Sequence, residues 1–353
     1  MKSEIILHIG LTKTGTSSIQ RFLSERVELL YNRGLIYPQS GRARFGATAH
    51  HNLAYELLDD SAEVHGRFLP ERGGWADALA EIDKTGTGII STEALSKLDE
   101  PQIGRLKTVL AGRSVRIVVY LRRQDLRLHS HYNQRARFGR VDFDVQAFLD
   151  REWPKGQYDE TLSPWMTHFP DVDIHIYDTI GGEGGTLAHF VSHYAPGVVL
   201  PQPDESWSHG KAGIKFLFAV QSLVSMGRLE FGDDYALSQR AAMKLSDYFH
   251  ARPDEVYNFS AMGFSAAQQV MECLSPSNKR LHDILRERGI ADRFPQVRVE
   301  DYRNYLDLAS VAKPLDAEED AWLQQFAQDV MRGERKSKKS SRAVLFTGKS
   351  TES

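Results

Sequence analysis

Up to about residue 203 the chain alternates two apolar patterns. Ile5, Ile6, Leu7 and Ile9 form a short continuous run, the mark of a strand buried on both faces. Ile19, Phe22, Leu23, Val27 and Leu30 then recur at helical spacing, which predicts a helix beginning near Thr16 or Ser17. Gly34 to Pro38 predicts a second short strand stopped by proline, followed by a polar loop from Gln39 to Thr48. Helices are expected over His50–Leu58 and Trp75–Ile82, then a strand over Gly88–Ser91 that ends in hydroxyls and a carboxylate. Ser114–Leu121 is the clearest central strand, and Arg122 and Arg123 follow it directly. A helix over Gln124–Phe138, a short one around Phe143–Leu149, a strand over Val172–Tyr177 and a helix through Phe190–Tyr194 complete the series. Strands alternating with helices predict an α/β fold, a parallel sheet flanked by helices on both faces.

Beyond Pro203 the helical period takes over, in Ala212–Met226, Tyr235–Arg252, Ser265–Leu274, Ser277–Arg288 and Glu318–Met331. The expected organisation is a core over 1–203, a helical C-terminal extension over 204–332 whose helices also allow homo-oligomer formation, and a basic, solvated tail over 333–353.

Composition narrows the class. Charged residues make up 26% of the 353 and the net charge is −3, so no basic field recommends nucleic acid as a partner. A single cysteine, Cys273, leaves no internal disulfide framework and no cysteine-built metal site. The opening apolar stretch is too short for a signal-peptide core, and no later one reaches the roughly 18 residues of a membrane span. A soluble, cytoplasmic protein is expected.

Between the first strand and helix, Gly10 to Ser18 are small and hydroxyl-rich around Lys13. Such a junction suits an anion, because first-turn amides lack intrahelical partners and the helix dipole is positive there. Lys13 adds a full charge, Gly15 lets the backbone approach, and Thr14, Thr16, Ser17 and Ser18 add donors. Gly10 and Gly15 have the separation of the common nucleotide loop G-x-x-x-x-G-K-[ST], but Thr16 stands where its lysine belongs and Lys13 precedes the second glycine. An ordinary Mg-ATP site is therefore disfavoured. The structural alternative is simply a helix start after a strand.

A second anchor is expected where Arg122 leaves the central strand and Ser130 follows eight residues later on the next helix. A guanidinium and a hydroxyl converging at that edge suit a phosphate monoester, so the two anchors could hold two phosphates of one nucleotide. On Lys13-Thr-Gly-Thr-Ser-Ser-Ile-Gln20, Arg122 with Ser130, Tyr120-Leu-Arg-Arg-Gln-Asp125 and Ser130-His-Tyr132, the chain resembles sulfotransferases that use 3′-phosphoadenosine 5′-phosphosulfate (PAPS), most of all their bacterial branch. The likeness is specific over about residues 4–135 and weaker beyond, where Asn278-Lys-Arg-Leu281 is similar to a motif of such bacterial proteins.

The resemblance implies a P-loop NTPase-like sulfotransferase fold, PAPS as co-substrate with 3′-phosphoadenosine 5′-phosphate (PAP) as product, and no metal. It implies that Lys13 to Ser18 hold the 5′-phosphosulfate and that Arg122 and Ser130 hold the 3′-phosphate. Lys13 would also neutralise the leaving group. The base that deprotonates the acceptor, a hydroxylated or amine-bearing molecule such as a glycan, is expected to be His50, with His51 and Glu93 as alternatives. Each has a structural reading too: the histidines could begin a helix, and Glu93 could sit in a first turn. A P-loop kinase-like phosphotransferase and a non-catalytic nucleotide-binding protein are the rival readings.

Overall fold

In the computed structural model, residues 3–42, 48–58, 66–141, 143–181, 184–200, 213–225, 235–252, 256, 259–290 and 293–329 are described. Five strands, β1 (Glu4–His8), β2 (Leu35–Ile36), β3 (Thr87–Ser91), β4 (Ser114–Leu121) and β5 (Val172–Ile176), form one sheet in the order β2-β3-β1-β4-β5. Every pairing is parallel.

Strand periodicity divides the core in two. Ile5, Leu7, Ile117, Val119 and Leu121 point to one face, where they meet α3 (His51–Leu58), α4 (Trp75–Ile82), α5 (Glu100–Val109), α8 (Tyr158–His168) and α13 (Ser275–Glu287). Ile6, Ile89, Val118 and Tyr120 point to the other, against α1 (Thr16–Glu25), α2 (Val27–Tyr31) and α9 (Gly185–Tyr194). Burial on both sides is why these strands read as unbroken apolar runs. Gly88 in β3 makes room for α4, because a Cβ there would stand 2.3 Å from Ile82 Cγ1.

The remaining helices are α6 (Gln124–Arg137), α7 (Val145–Glu152), α10 (Ile214–Ser225), α11 (Tyr235–His250), α12 (Phe264–Cys273) and one over 317–329. Among the described residues, two α-helices lie outside the sequence expectation, α5 and α8. For α5 the start signal was present: Asp99 accepts from the Gln102 amide at 2.8 Å while Gln102 Oε1 accepts from the Asp99 amide at 2.9 Å, a capping box followed by Pro101 in the first turn. In α8 the interior Pro164 obscures a buried stripe of Tyr158, Leu162 and Trp165. The single helix expected through Leu30 is instead two, α1 ending at Glu25 and α2 resuming at Val27, with Arg26 between them.

The chain divides into two compact units that do not follow its order. One holds the described residues within 1–130, 149–208 and 265–298 and contains the whole sheet; the other holds the described residues within 131–148, 209–264 and 299–329. Residues 265–298, expected within the helical extension, therefore group with the sheet. There Leu281 and Leu285 enter the main core, and Asp159 on α8 accepts from the Ser277 hydroxyl and the Arg280 guanidinium. Within the second unit, Lys215 and Glu319 make a buried ion pair at 2.9 Å, and Trp322 stacks on Tyr248 with ring centroids 3.6 Å apart. The expected tail over 333–353 lies outside the described residues. Among the described residues, no helix is long and apolar enough to cross a membrane.

Candidate functional site

The strand order turns at β1: the chain passes to β2 and β3 on one side and to β4 and β5 on the other. In parallel sheets the crevice outside the strand C-termini at such a reversal is where ligands bind. His8 and Ser91, the last residues of β1 and β3, are partners in register. The segments that follow the strands, Gly10 to Thr16, Thr92 and Glu93, Arg122 and Arg123, and Tyr177 and Asp178, leave the sheet at this same edge.

The loop after β1 is held in an unusual shape. Gly10 has φ +25°, and a Cβ there would lie 2.6 Å from Thr16 Cγ2, so the turn is closed to any other residue. Lys13, a non-glycine residue, takes φ 75°. That conformation costs about 1 kcal/mol or more and persists only where its surroundings enforce it. Gly15, at φ 82°, caps α1 without a side chain, and the first turn of α1 contains no acidic residue. The helix end is thus electropositive and uncapped. Of the hydroxyls expected to face an anion, Thr14 is spent elsewhere: it is fully buried and donates to the Leu11 carbonyl at 2.6 Å. Thr16 is buried too, whereas Ser17 is exposed and Ser18 half-buried.

Arg122 reaches that loop from 109 positions away, its Nη1 donating to the Lys13 carbonyl at 3.1 Å. Its guanidinium lies over the Tyr177 ring, 5.1 Å from the centroid, and 3.8 Å from Asp178 Oδ1. Asp178 also accepts from the Arg123 amide at 2.5 Å, and burial raises its carboxyl above the usual range. Tyr158 donates to the Arg122 carbonyl at 2.7 Å. Arg123 is structural, paired with both oxygens of Asp125 at 2.8 and 2.9 Å inside the core. Ser130 lies half-buried in the second turn of α6.

The two neighbouring histidines separate. His50 is fully buried, with Nε2 against the Pro38 carbonyl at 2.9 Å and Nδ1 accepting from the Ser91 amide at 3.2 Å. Desolvation lowers its pKa to about 3. Both nitrogens are occupied and no solvent-facing edge remains, which argues against the preference for His50 as base; it pins the start of α3 to the end of β3. His51 is partly exposed, with Nδ1 at 2.6 Å from Thr92 Oγ1 and Nε2 at 3.9 Å from Glu93 Oε1. Glu93 opens the 3-10 turn Glu93–Lys97, and its Oε2 accepts from Gln20 Nε2 of α1 at 2.9 Å. His51 and Glu93 thus face one another beside α1, the helix that follows the loop around Lys13.

His8, Gln20, Thr92, Tyr177 and Asp178 were not singled out from the sequence. A signal existed for His8, a titratable residue inside the apolar run of β1. It is fully buried, its Nδ1 is 2.8 Å from Ser91 Oγ, its Nε2 has no hydrogen-bond partner among the described residues, and burial brings its pKa to about 4. The others depend on contacts across tens of positions.

No family model matches the chain, and no solved structure does. An uncharacterized protein of Archaeoglobus fulgidus is 34% identical over 124 residues, which is 33% of this chain and 32% of that relative. The chain thus spans about a third of the length of the curated relative it matches.

Proposed function

We propose that the protein transfers the sulfuryl group of PAPS to a hydroxyl or amine acceptor, and that its sheet unit is a P-loop NTPase-like sulfotransferase fold. The observation that carries this reading is the meeting of the two anchors: Arg122 and the Lys13 loop, far apart in the chain, touch at the C-terminal edge of the sheet. An uncapped helix start, Lys13 and the exposed Ser17 suit the 5′-phosphosulfate, while Arg122, with Ser130 on the following helix, suits the 3′-phosphate.

The chemistry asks two things of the chain. As the acceptor oxygen or nitrogen forms its bond to sulfur, the bond from sulfur to the bridging oxygen breaks, and negative charge grows on the 5′-phosphate. Lys13 and the α1 amides offset that charge. The acceptor's proton passes to the His51–Glu93 pair beside α1. A glycan is the acceptor class suggested by the family resemblance.

A thermal-shift comparison of PAP with Mg-ATP tests the reading. PAP should stabilise the protein by about 2.7 kcal/mol at a hundredfold excess over Kd. Stabilisation by Mg-ATP alone would reject sulfuryl transfer in favour of a kinase, and PAP binding without transfer of labelled sulfate to any of a broad acceptor panel would favour a binding protein. Lys13→Ala and Arg122→Ala should each weaken PAP binding by roughly 1.5–3 kcal/mol, the worth of a charge-assisted contact. Unchanged affinity in both places the donor elsewhere.

A further inference from the structure

At the end of β3, hydrogen bonds have a direction that can be read. Thr92 is fully buried; its Oγ1 accepts from the Ala94 amide at 3.2 Å and lies 2.6 Å from His51 Nδ1. Buried hydroxyls place their proton on an acceptor, and among the described residues His51 Nδ1 is the acceptor in reach. The Thr92 hydroxyl therefore donates to Nδ1, and the neutral imidazole keeps its own proton on Nε2. This tautomer follows from the network around the ring. Nε2–H then faces Glu93 Oε1 at 3.9 Å. The other carboxylate oxygen, Oε2, is held at 2.9 Å by the amide of Gln20, which is 3% exposed.

We infer that Thr92 and Gln20 are positioning residues that divide the work at the acceptor side: Thr92 makes His51 a hydrogen-bond donor through Nε2–H, and Gln20 orients Glu93 so that Oε1 receives the acceptor's proton. The catalytic assignment rests on the sulfuryl-transfer reading above. In the balanced step the acceptor's O–H bond breaks, its proton goes to Oε1, and its electron pair forms the new bond to sulfur. The electrons of the broken sulfur–oxygen bond leave with the 5′-phosphate of PAP. Glu93 afterwards releases the proton to water.

The chemistry of Gln20 fits this task. A lysine or arginine at that position would stabilise the carboxylate charge and weaken the base, whereas a neutral amide fixes its direction at smaller cost to basicity. Gln20 also lies one turn beyond Thr16, so the helix whose start faces the donor loop also holds the base. Tyr55 is a further ionisable neighbour of His51, with ring centroids 6.2 Å apart, and is itself hydrogen-bonded to Arg67; Glu93 also interacts electrostatically with His8 and Tyr55.

The test is long-range proton–nitrogen NMR on the full chain with ¹⁵N-labelled histidine, His51 being assigned by the signal lost in His51→Gln. Wild type near neutral pH should show the Nε2–H form. Thr92→Val should spread the proton onto Nδ1, and Thr92→Ser should restore the original pattern. In Gln20→Leu, Glu93 is released to close on Nε2–H, so the His51 Nε2–H proton signal should move downfield as that hydrogen bond shortens. PAP affinity, by calorimetry, should change less than about twofold in Thr92→Val and Gln20→Leu, below the roughly tenfold effect of 1.4 kcal/mol. An Nδ1–H form in wild type overturns the inference without any variant, as does an unmoved spectrum in Thr92→Val or an unmoved Nε2–H signal in Gln20→Leu. If wild type fails to bind PAP, the sulfuryl-transfer reading falls, while the spectra still decide whether Thr92 and Gln20 position this pair.

Discussion

His50 and His51 are adjacent in the chain and have opposite surroundings, which gives the acid behaviour of the protein a residue-level cause. Folded His50 stays neutral down to about pH 3 and folded His8 down to about pH 4, against an ordinary 6.5. Above about pH 6.5 neither folded nor unfolded chain gains a proton at these sites. Below it the unfolded chain takes up protons that the buried rings refuse. Stability should therefore fall with pH by about 1.4 kcal/mol per unit for each imidazole. The His8 loss is complete near pH 4 and the His50 loss near pH 3. Urea midpoints taken from about pH 7 to about pH 4.5 check this, and a flat series contradicts it. Asp178 gives a second residue-level prediction, since its carboxylate sits 3.8 Å from the Arg122 guanidinium and competes with any phosphate placed there. Asp178→Asn keeps an acceptor for the Arg123 amide but removes the charge, so PAP affinity should rise by about 0.5–1 kcal/mol. Weaker binding in a calorimetric titration would show that Asp178 serves the ligand instead.

At the scale of elements, glycine positions decide how closely helices approach the sheet. Gly88→Ala sets a methyl carbon 2.3 Å from Ile82 Cγ1, so α4 must shift away from β3. The cost expected is about 1–3 kcal/mol, as for other overpacked cores, read as a lower denaturation midpoint with an unchanged slope. Gly34→Ala is the contrast: among the described residues, no atom beyond its chain neighbours lies within 4 Å of its added Cβ, but φ +75° makes the substitution a matter of backbone strain alone. Elements also show why some helices were legible and others not. The stretches around α10, α11, α12 and α13 carry uninterrupted helical periodicity, and the expected ranges differ from the observed ones by a few residues at each end. α8 contains Pro164, which breaks the pattern a sequence reader relies on.

For the molecule as a whole, the sheet unit closes only when a late stretch of chain returns to it. Leu281 and Leu285 are fully buried in the same core as Trp165 and Ile174, and the Asn278 side chain accepts from Gln124 Nε2 at 2.5 Å at the start of α6. The Asn278-Lys-Arg-Leu281 motif is thereby accounted for as a clasp. A chain ending at residue 264 should lose cooperative unfolding, measured by circular dichroism against urea, because the covered face of α8 is left open. Leu281→Ala, a milder version of the same lesion, should cost about 2–5 kcal/mol. A truncated chain as stable as the full one would mean the sheet unit is complete without α12 and α13.

The sequence by itself determined the strands, most of the helices and the loop of small residues around Lys13, because each is written in local periodicity and in residues whose backbone freedom is local. It also placed Arg122 just after β4, since the end of a strand is visible where the apolar run stops. Which histidine is buried was decided only in three dimensions. Adjacent positions at a helix start point in different directions, and only the packing of Pro38 and Ser91 around one of them, and of Thr92 and Glu93 beside the other, separates their chemistry. The hold of Gln20 on Glu93, across 73 positions, and the return of 265–298 to the sheet are likewise long-range contacts that no local pattern encodes.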